Sequence, residues 1–241
     1  MNLANELCGN RVRIYGYNGA IDNVGEEVWD PSTIWTPFAA TAKLEVASTD
    51  NTKDVAAGTG AQKIYVLGLD ADYKLQGEEL TMNGQTVVTS VKSYLRVLGA
   101  WVSQAGTDGV NAGIISVANI AATWTTGAPN EANQVAAKIA ASTCRSRMAI
   151  WTVPAGMSYK MTQLYIGNRA QICDYHLDVR TAAGIWIRAN TWSIAANTYA
   201  DHWPAYDLAF EEKEDIRIRG IAATTGAIGT VCLGLERTNR R

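Results

Sequence analysis

Lys63-Ile-Tyr-Val-Leu-Gly-Leu-Asp-Ala-Asp-Tyr73, followed closely by Glu78-Glu-Leu-Thr-Met-Asn-Gly84, decides how this chain is read. Short alternating runs broken by Gly, Asn and Asp have a period of two, which buries one face of a strand and wets the other. The pattern returns in the second half as Tyr175-His-Leu-Asp-Val-Arg180, Ile185-Trp-Ile-Arg188 and Ile216-Arg-Ile-Arg219. In the first of these, Tyr, Leu and Val face one way while His, Asp and Arg face the other. Antiparallel sheets follow from such a pattern.

On either side of this stretch, strands are predicted at 43–47, 62–67, 77–82, 86–89, 94–102 and 113–117. A second set falls at 148–153, 159–166, 173–180, 185–191, 199–208, 215–221 and 229–236. Asn83-Gly84 has the strongest hairpin signature in the chain, because both residues tolerate positive φ in a two-residue loop. Asp70-Ala-Asp-Tyr73 and Gly106-Thr-Asp-Gly109 supply further turns, and Pro154-Ala-Gly156 a stop. Strands every 8 to 12 residues or so, with turns between, point to a sandwich or jelly roll. The expected fold is therefore all-β: two antiparallel β-sandwich or jelly-roll-like domains, at 39–120 and 144–241, preceded by an extended N-terminal arm at 1–38. Residues 121–143 are a connector. Its alanine density favours a helix with Pro129 in the first turn, while 134–139 reads equally as a strand.

The arm is assigned on Pro31 and Pro37, which hold their neighbours extended, and on the absence of a sustained period after residue 24. Trp29, Trp35 and Phe38 would project from it towards a partner. Residues 11–19 can make one strand and a turn, and the competing reading of the arm is an edge strand lying on the domain's own sheet.

Composition narrows the function classes. The 241 residues carry a formal net charge of −2 with no basic stripe, which argues against nucleic acid as a partner. Eight Trp and ten Tyr stand against two Phe, a bias towards rings with a polar handle that suit half-wet positions and interfaces. Cys8, Cys144, Cys173 and Cys232 are too widely spaced for a metal knuckle or a disulfide framework, and are expected to be reduced. Cys232, in Val231-Cys-Leu-Gly-Leu235, reads as a small core residue. No apolar run approaches the ~18 residues of a membrane span, and the N-terminus lacks a signal-peptide pattern, so a soluble, cytosolically made protein is expected.

Reaction chemistry finds little support. His176 lies on a strand's polar face and His202 in Asp201-His-Trp-Pro204; both read as surface imidazoles, and no Gly-x-Ser-x-Gly elbow accompanies them. Any β sandwich can bring Asp or Glu together; the densest acidic run, Glu211-Glu-Lys-Glu-Asp215, reads as a solvated turn in preference to a catalytic or calcium site, and Glu211, Glu212 and Asp215 are the residues whose replacement would test a glycan-cleaving activity. Gly58-Thr-Gly60 and Gly226-Ala-Ile-Gly229 are turns and not phosphate loops. No catalytic residue, cofactor or metal ligand is assigned, and the chain is expected not to be an enzyme.

Ala57-Gly-Thr-Gly-Ala-Gln-Lys-Ile-Tyr-Val-Leu-Gly-Leu-Asp-Ala-Asp-Tyr73, Thr81-Met-Asn-Gly84, Ser93-Tyr-Leu-Arg96, Asn111-Ala-Gly-Ile-Ile-Ser116 and Met148-Ala-Ile-Trp-Thr-Val-Pro-Ala-Gly156 together resemble a family of tailed-bacteriophage virion proteins common in aquatic phages. The resemblance spans about residues 45–235. It implies a structural component of the particle without enzymatic activity. The expected function is a capsid decoration or cement protein, a homotrimer that binds the major capsid protein or other virion proteins, assembled in the host cytoplasm and located in the virion. The partner-binding candidates are Trp29, Trp35, Phe38 and Trp203. The alternative is a tail, neck or fibre-associated protein with a glycan- or host-receptor-binding surface, for which Trp186, Trp192 and Trp203 are the candidates.

Overall fold

The computed structural model describes residues 10–202 and 208–238, whose regular structure is antiparallel β but for one short 3-10 turn. The chain divides into two compact units, Met1–Ile34 with Met148–Arg241, and Trp35–Arg147. It opens with β1 (Arg11–Ile21) and β2 (Glu26–Glu27). The inserted unit contributes β3 (Ala42–Ser48), β4 (Ala61–Leu69), β5 (Leu75–Thr81), β6 (Val88–Tyr94), β7 (Arg96–Ala105), β8 (Ile115–Asn119), β9 (Trp124–Thr125), β10 (Ala128–Pro129) and β11 (Val135–Ile139). The first unit then resumes with β12 (Ile150–Thr152), β13 (Tyr159–Arg169), β14 (Cys173–Arg180), β15 (Trp186–Ile194), β16 (Thr198–His202), β17 (Ala209–Phe210), β18 (Asp215–Ala222) and β19 (Ala227–Arg237).

In the first unit one sheet runs β1-β19-β13-β16, with β17 also on β13; the other runs β12-β18-β14-β15, with β2 also on β18. With β2 and β12 both on β18, and β16 and β17 both on β13, the chain otherwise passes from sheet to sheet at every connection within this unit but the β14–β15 hairpin. Four strands in line per sheet, joined this way, make a jelly roll. Its core lies between the sheets. Val12, Ile14, Leu164, Ile166, Val231 and Leu233 come from one, and Tyr175, Leu177, Ile216 and Ile218 from the other, all buried. The two layers touch closely. A Cβ on Gly16 would lie 2.3 Å from the Val28 carbonyl oxygen and 2.5 Å from Ala149 Cβ, so only glycine fits there.

This arrangement corrects the expected arm and the domain boundaries. Residues 11–21 form a full strand whose register on β19 runs from Arg11↔Glu236 to Ile21↔Ala227. Val12, Ile14 and Asn18 are buried while Arg11 and Arg13 are exposed, so β1 carries a strand's alternation and belongs to the jelly roll. The edge-strand reading describes it better. Its partner lies at the far end of the sequence, where no local pattern can announce it.

The inserted unit is a second pair of sheets, β11-β8-β3-β6 and β5-β4-β7. The 121–143 stretch is no helical connector. It holds a small β9–β10 pair, a single 3-10 turn at Ala132–Gln134 and the strand β11, which pairs with β8. Val135, Ala136, Ala137 and Ile139 are buried, and packing of that face outweighs alanine's helical preference.

Asn83-Gly84 does not close a hairpin. β5 pairs with β4 and β6 with β3, so the dipeptide carries the chain from one sheet to the other. Gly84 adopts φ +59, its amide donates to the Asp54 carbonyl (2.8 Å) and its own carbonyl accepts from Ser48 N (2.8 Å). The hairpin of this region is the Asp70 loop, where Oδ1 accepts from the amides of Asp72 and Lys74 (both 2.9 Å) and Leu69 faces Leu75.

Buried polar side chains fasten segments that no strand ladder joins. Asp54, fully buried, accepts from Ser48 Oγ (2.6 Å), Ala61 N (2.8 Å), Ala112 N (2.9 Å) and Gly113 N (2.8 Å). In the jelly roll, Asn168 donates to the carbonyls of Gln171, Ile194 and Ala195 and accepts from the Tyr175 hydroxyl (3.1 Å).

Two outcomes are expected. Asp54→Ala strands four donors in a dry interior and lowers stability by about 3–5 kcal/mol, seen as a reduced urea midpoint. Deleting residues 1–34 uncovers Val231, Leu233 and Leu235 and leaves β19 half-paired. The truncated chain should lose its cooperative jelly-roll unfolding transition and aggregate; a soluble product with that transition intact would refute β1's role.

Candidate interaction surfaces

The four partner-binding candidates are not presented together. Trp29 is fully buried, bridges Met148 and donates from Nε1 to the Thr33 carbonyl (2.8 Å). Trp35 is buried in the inserted unit, and Phe38 is half-buried with its carbonyl accepting from Arg96 Nη1 (3.0 Å). Trp29 and Trp35 therefore fill cores and do not project, because each ring has more apolar area to hide than an extended arm can leave wet. Trp203 lies outside the described residues.

Two other surfaces, one aromatic and one charged, lie on the jelly roll's outer faces. On the β1-β19-β13-β16 sheet, strand register lays out two rows. Tyr15, Cys232, Tyr165 and Asp201 form one; Tyr17, Thr230, Gly167 and Tyr199 form the next. Tyr165 and Tyr199 stack with centroids 5.6 Å apart and planes at 25°. Tyr199 is 69% exposed, and Tyr15 and Tyr165 are each 36% exposed. Small residues between the rings leave an open depression of about 270 Å³ floored by Gly167, Thr230 and Ile228. Cys232, expected in the core, sits instead on this outer face between Tyr15 and Tyr165, since its neighbours Val231 and Leu233 take the inward positions. Cys173 is the thiol that points into the core; burial pushes it up to about 11, so it stays protonated at neutral pH.

The outer face of the other sheet is polar in sequence yet largely closed to water. Arg217 donates to Glu27 Oε1 (2.8 Å) and lies 3.4 Å from Asp178 Oδ2, while Arg188 Nε donates to Asp178 Oδ1 (3.2 Å). Arg219 donates to the Gly25 carbonyl (2.9 Å) and stands 3.7 Å from Glu27. The Trp186 ring covers the Arg217 guanidinium, whose carbon lies 3.6 Å from the ring centroid. Burial, above all, draws the Arg217 guanidinium down from its ordinary value, against the pull of Glu27 and Asp178. Beside this network is an open depression of about 320 Å³ lined by Asp178, Trp186, Ile187, Arg188, Arg217 and Arg219.

His176 is corrected by the same geometry: it is buried at 6% exposure, with Nδ1 3.0 Å from Thr191 Oγ1. The side chain of His202 lies outside the described residues. The acidic run is dispersed. Glu212 accepts from the Gly156 amide (2.6 Å), and Asp215, buried at 1% exposure, takes a hydrogen bond from Thr152 (2.6 Å) and an ion pair from Arg180 (3.1 Å). Among the described residues no group of three or more His, Cys, Asp and Glu is placed to hold a metal.

Residue reasoning overlooked the arginine–carboxylate network and the tyrosine rows. The alternation in 175–180 and 216–219 placed the charges on one face correctly, but it carries no information about what covers that face.

No family model and no curated protein matches the chain. Among solved structures it is similar to one of infectious bursal disease virus, Gx strain, at 11% identity and a TM-score of 0.22, covering 93% of this chain and 71% of that one. It is also similar to the D431N mutant VP2 protein of that virus from derived T=1 particles, at 10% identity and a TM-score of 0.21, covering 95% and 70%. TM-scores of this size fix neither topology nor function.

His176 makes stability depend on pH. Burial, aided by the Arg188 and Arg219 charges and opposed by Asp178 and Asp174, holds its folded-state value below the ordinary one. The unfolded chain therefore binds the proton more readily, and stability is lost as pH falls below about 6.5. Urea midpoints measured from pH 7.5 to 5 should fall with acidification, and His176→Gln should flatten that slope; an unchanged slope would contradict it.

Proposed function

We propose that this chain is a structural protein of a tailed-phage virion, a decoration or cement protein that binds the outer capsid lattice and stabilises it. The observation that carries the reading is the tyrosine-bearing outer face of the β1-β19-β13-β16 sheet. It is a stiff surface held by strand ladders, with exposed Tyr15, Tyr165 and Tyr199 able to bury ring area while keeping their hydroxyls hydrogen-bonded. The jelly-roll topology supports it by analogy, since that architecture recurs in capsid proteins, though it recurs in lectins too. The sequence resemblance points the same way. In this reading the tyrosine face, and not an N-terminal arm, meets the major capsid protein or a neighbouring copy. Many modest contacts on a symmetric lattice then act together, and a homotrimer would multiply them.

A second reading, a tail, neck or fibre-associated protein with a receptor-binding surface, is favoured by one feature: the depression where Trp186 and three arginines meet.

Copy number separates the two. Quantitative mass spectrometry of purified particles should find on the order of several hundred copies for a lattice protein, and a dozen or so for a tail or neck component. Particles reconstituted with the Tyr165→Ser, Tyr199→Ser double variant should retain at least roughly 10-fold less of the chain than those given the parent, because exposed aromatic anchors dominate such contacts. Equal retention would rule out the tyrosine face as the capsid contact.

A further inference from the structure

The Trp186 depression has a chemistry of its own. It is lined by Arg188, Arg217 and Arg219 together with Asp178, to which Arg188 and Arg217 are paired, and Glu27 beside Arg217 and Arg219 is the second counter-charge. Three cations against two carboxylates leave the site one positive charge in excess. The partition is uneven. Arg217 and Arg219 are held down by Glu27, Asp178 and the Gly25 carbonyl, whereas Arg188 spends only its Nε on Asp178 and keeps its side chain 48% exposed. Its terminal nitrogens make no hydrogen bond among the described residues. They form a fork ready for a second, external carboxylate, the geometry in which arginine is strongest.

Next to that fork stands an aromatic wall. Trp186 is pinned by Arg217 at 3.6 Å, so its orientation is set before any ligand arrives. An ordered ring plate beside a cationic fork, in a depression of about 320 Å³, matches a small ligand with one apolar ring face and one anionic substituent.

We infer that this depression binds an acidic saccharide, a sugar ring carrying a carboxylate, with the ring face against Trp186 and the carboxylate on Arg188. The inference rests on the receptor-binding reading and names its ligand class. It also explains why a surface so rich in charge keeps a tryptophan half-exposed at its margin.

The test uses the full chain and three probes: a galacturonic acid oligomer, a neutral galactose oligomer of the same length, and a glutamate-rich peptide. Binding is followed by calorimetry and by the shift of the Trp186 indole NMR signal. The acidic oligomer should bind at least about 10-fold more tightly than the neutral one, and Arg188→Gln and Trp186→Leu should each weaken it about 10-fold, the weight of one charge-assisted hydrogen bond or one stacked ring. Raising the salt should weaken it further. If either variant fails to fold, the indole shift in the parent chain decides alone: movement with the acidic oligomer supports the site, and none overturns it. Equal binding of the neutral oligomer would overturn the inference while leaving a glycan-binding surface standing. Failure of both oligomers to bind would remove both, and preference for the glutamate peptide would overturn the saccharide class.

Discussion

The pairing of β1 with β19 is the constraint from which the rest of the jelly roll follows. It brings Arg11 opposite Glu236 and runs to Ile21 opposite Ala227, so the beginning and the end of the described chain are one ladder. Without β1, the inward side chains of β19 and the loop at Val28 lose their cover, and the β19 backbone groups facing β1 lose their partners. The pairing also lets the chain leave after β2, build a separate pair of sheets, and return at β12 without disturbing the strand order. An insertion at that point costs only loop-closure entropy, which grows slowly with length.

The two outer faces of one jelly roll solve the problem of water in opposite ways. On one, tyrosines lie among Gly, Thr and Cys and stay wet through their hydroxyls. On the other, carboxylates and guanidinium groups cover one another so thoroughly that Glu27, Asp178 and Arg217 are buried outside the apolar core. Buried ion pairs of this kind gain little net stability, because desolvation offsets most of the attraction. Their consequence is geometric: they hold Trp186 and Arg188 in fixed places at the edge of a depression. The bias towards Tyr and Trp over Phe has its physical reason in part here, since Tyr15, Tyr165, Tyr199 and Trp186 occupy positions where one side of the ring is dry and the other is not.

A few polar residues set the loops between strands. Asp54 gathers Ser48, Ala61, Ala112 and Gly113, and Asn111 plays a similar part, donating to the Gly113 and Ala140 carbonyls and accepting from Cys144 N. Asn168 does so between the sheets of the jelly roll. Each satisfies backbone groups that no ladder reaches, which is why such segments can be irregular and still well defined.

Local alternation was enough to read the all-β class and nearly every strand, because a period of two is written in consecutive residues: 173–180 was predicted with the bounds the structure gives, and 215–221 with one residue fewer. Partner choice was not legible. Residues 1–38 read equally as an arm and as an edge strand, and Asn83-Gly84 reads as a hairpin, because the residues that complete them lie tens to hundreds of positions away. Nor was burial on the outer faces. Alternation states that His176, Asp178 and Arg217 share a side, but whether that side is wet depends on side chains from β2, β15 and β18 meeting over it. Alternation along consecutive residues thus reveals most strands and the two sides of each, whereas the choice of neighbouring strand and the wetting of each face come from contacts between distant segments, which no single segment encodes.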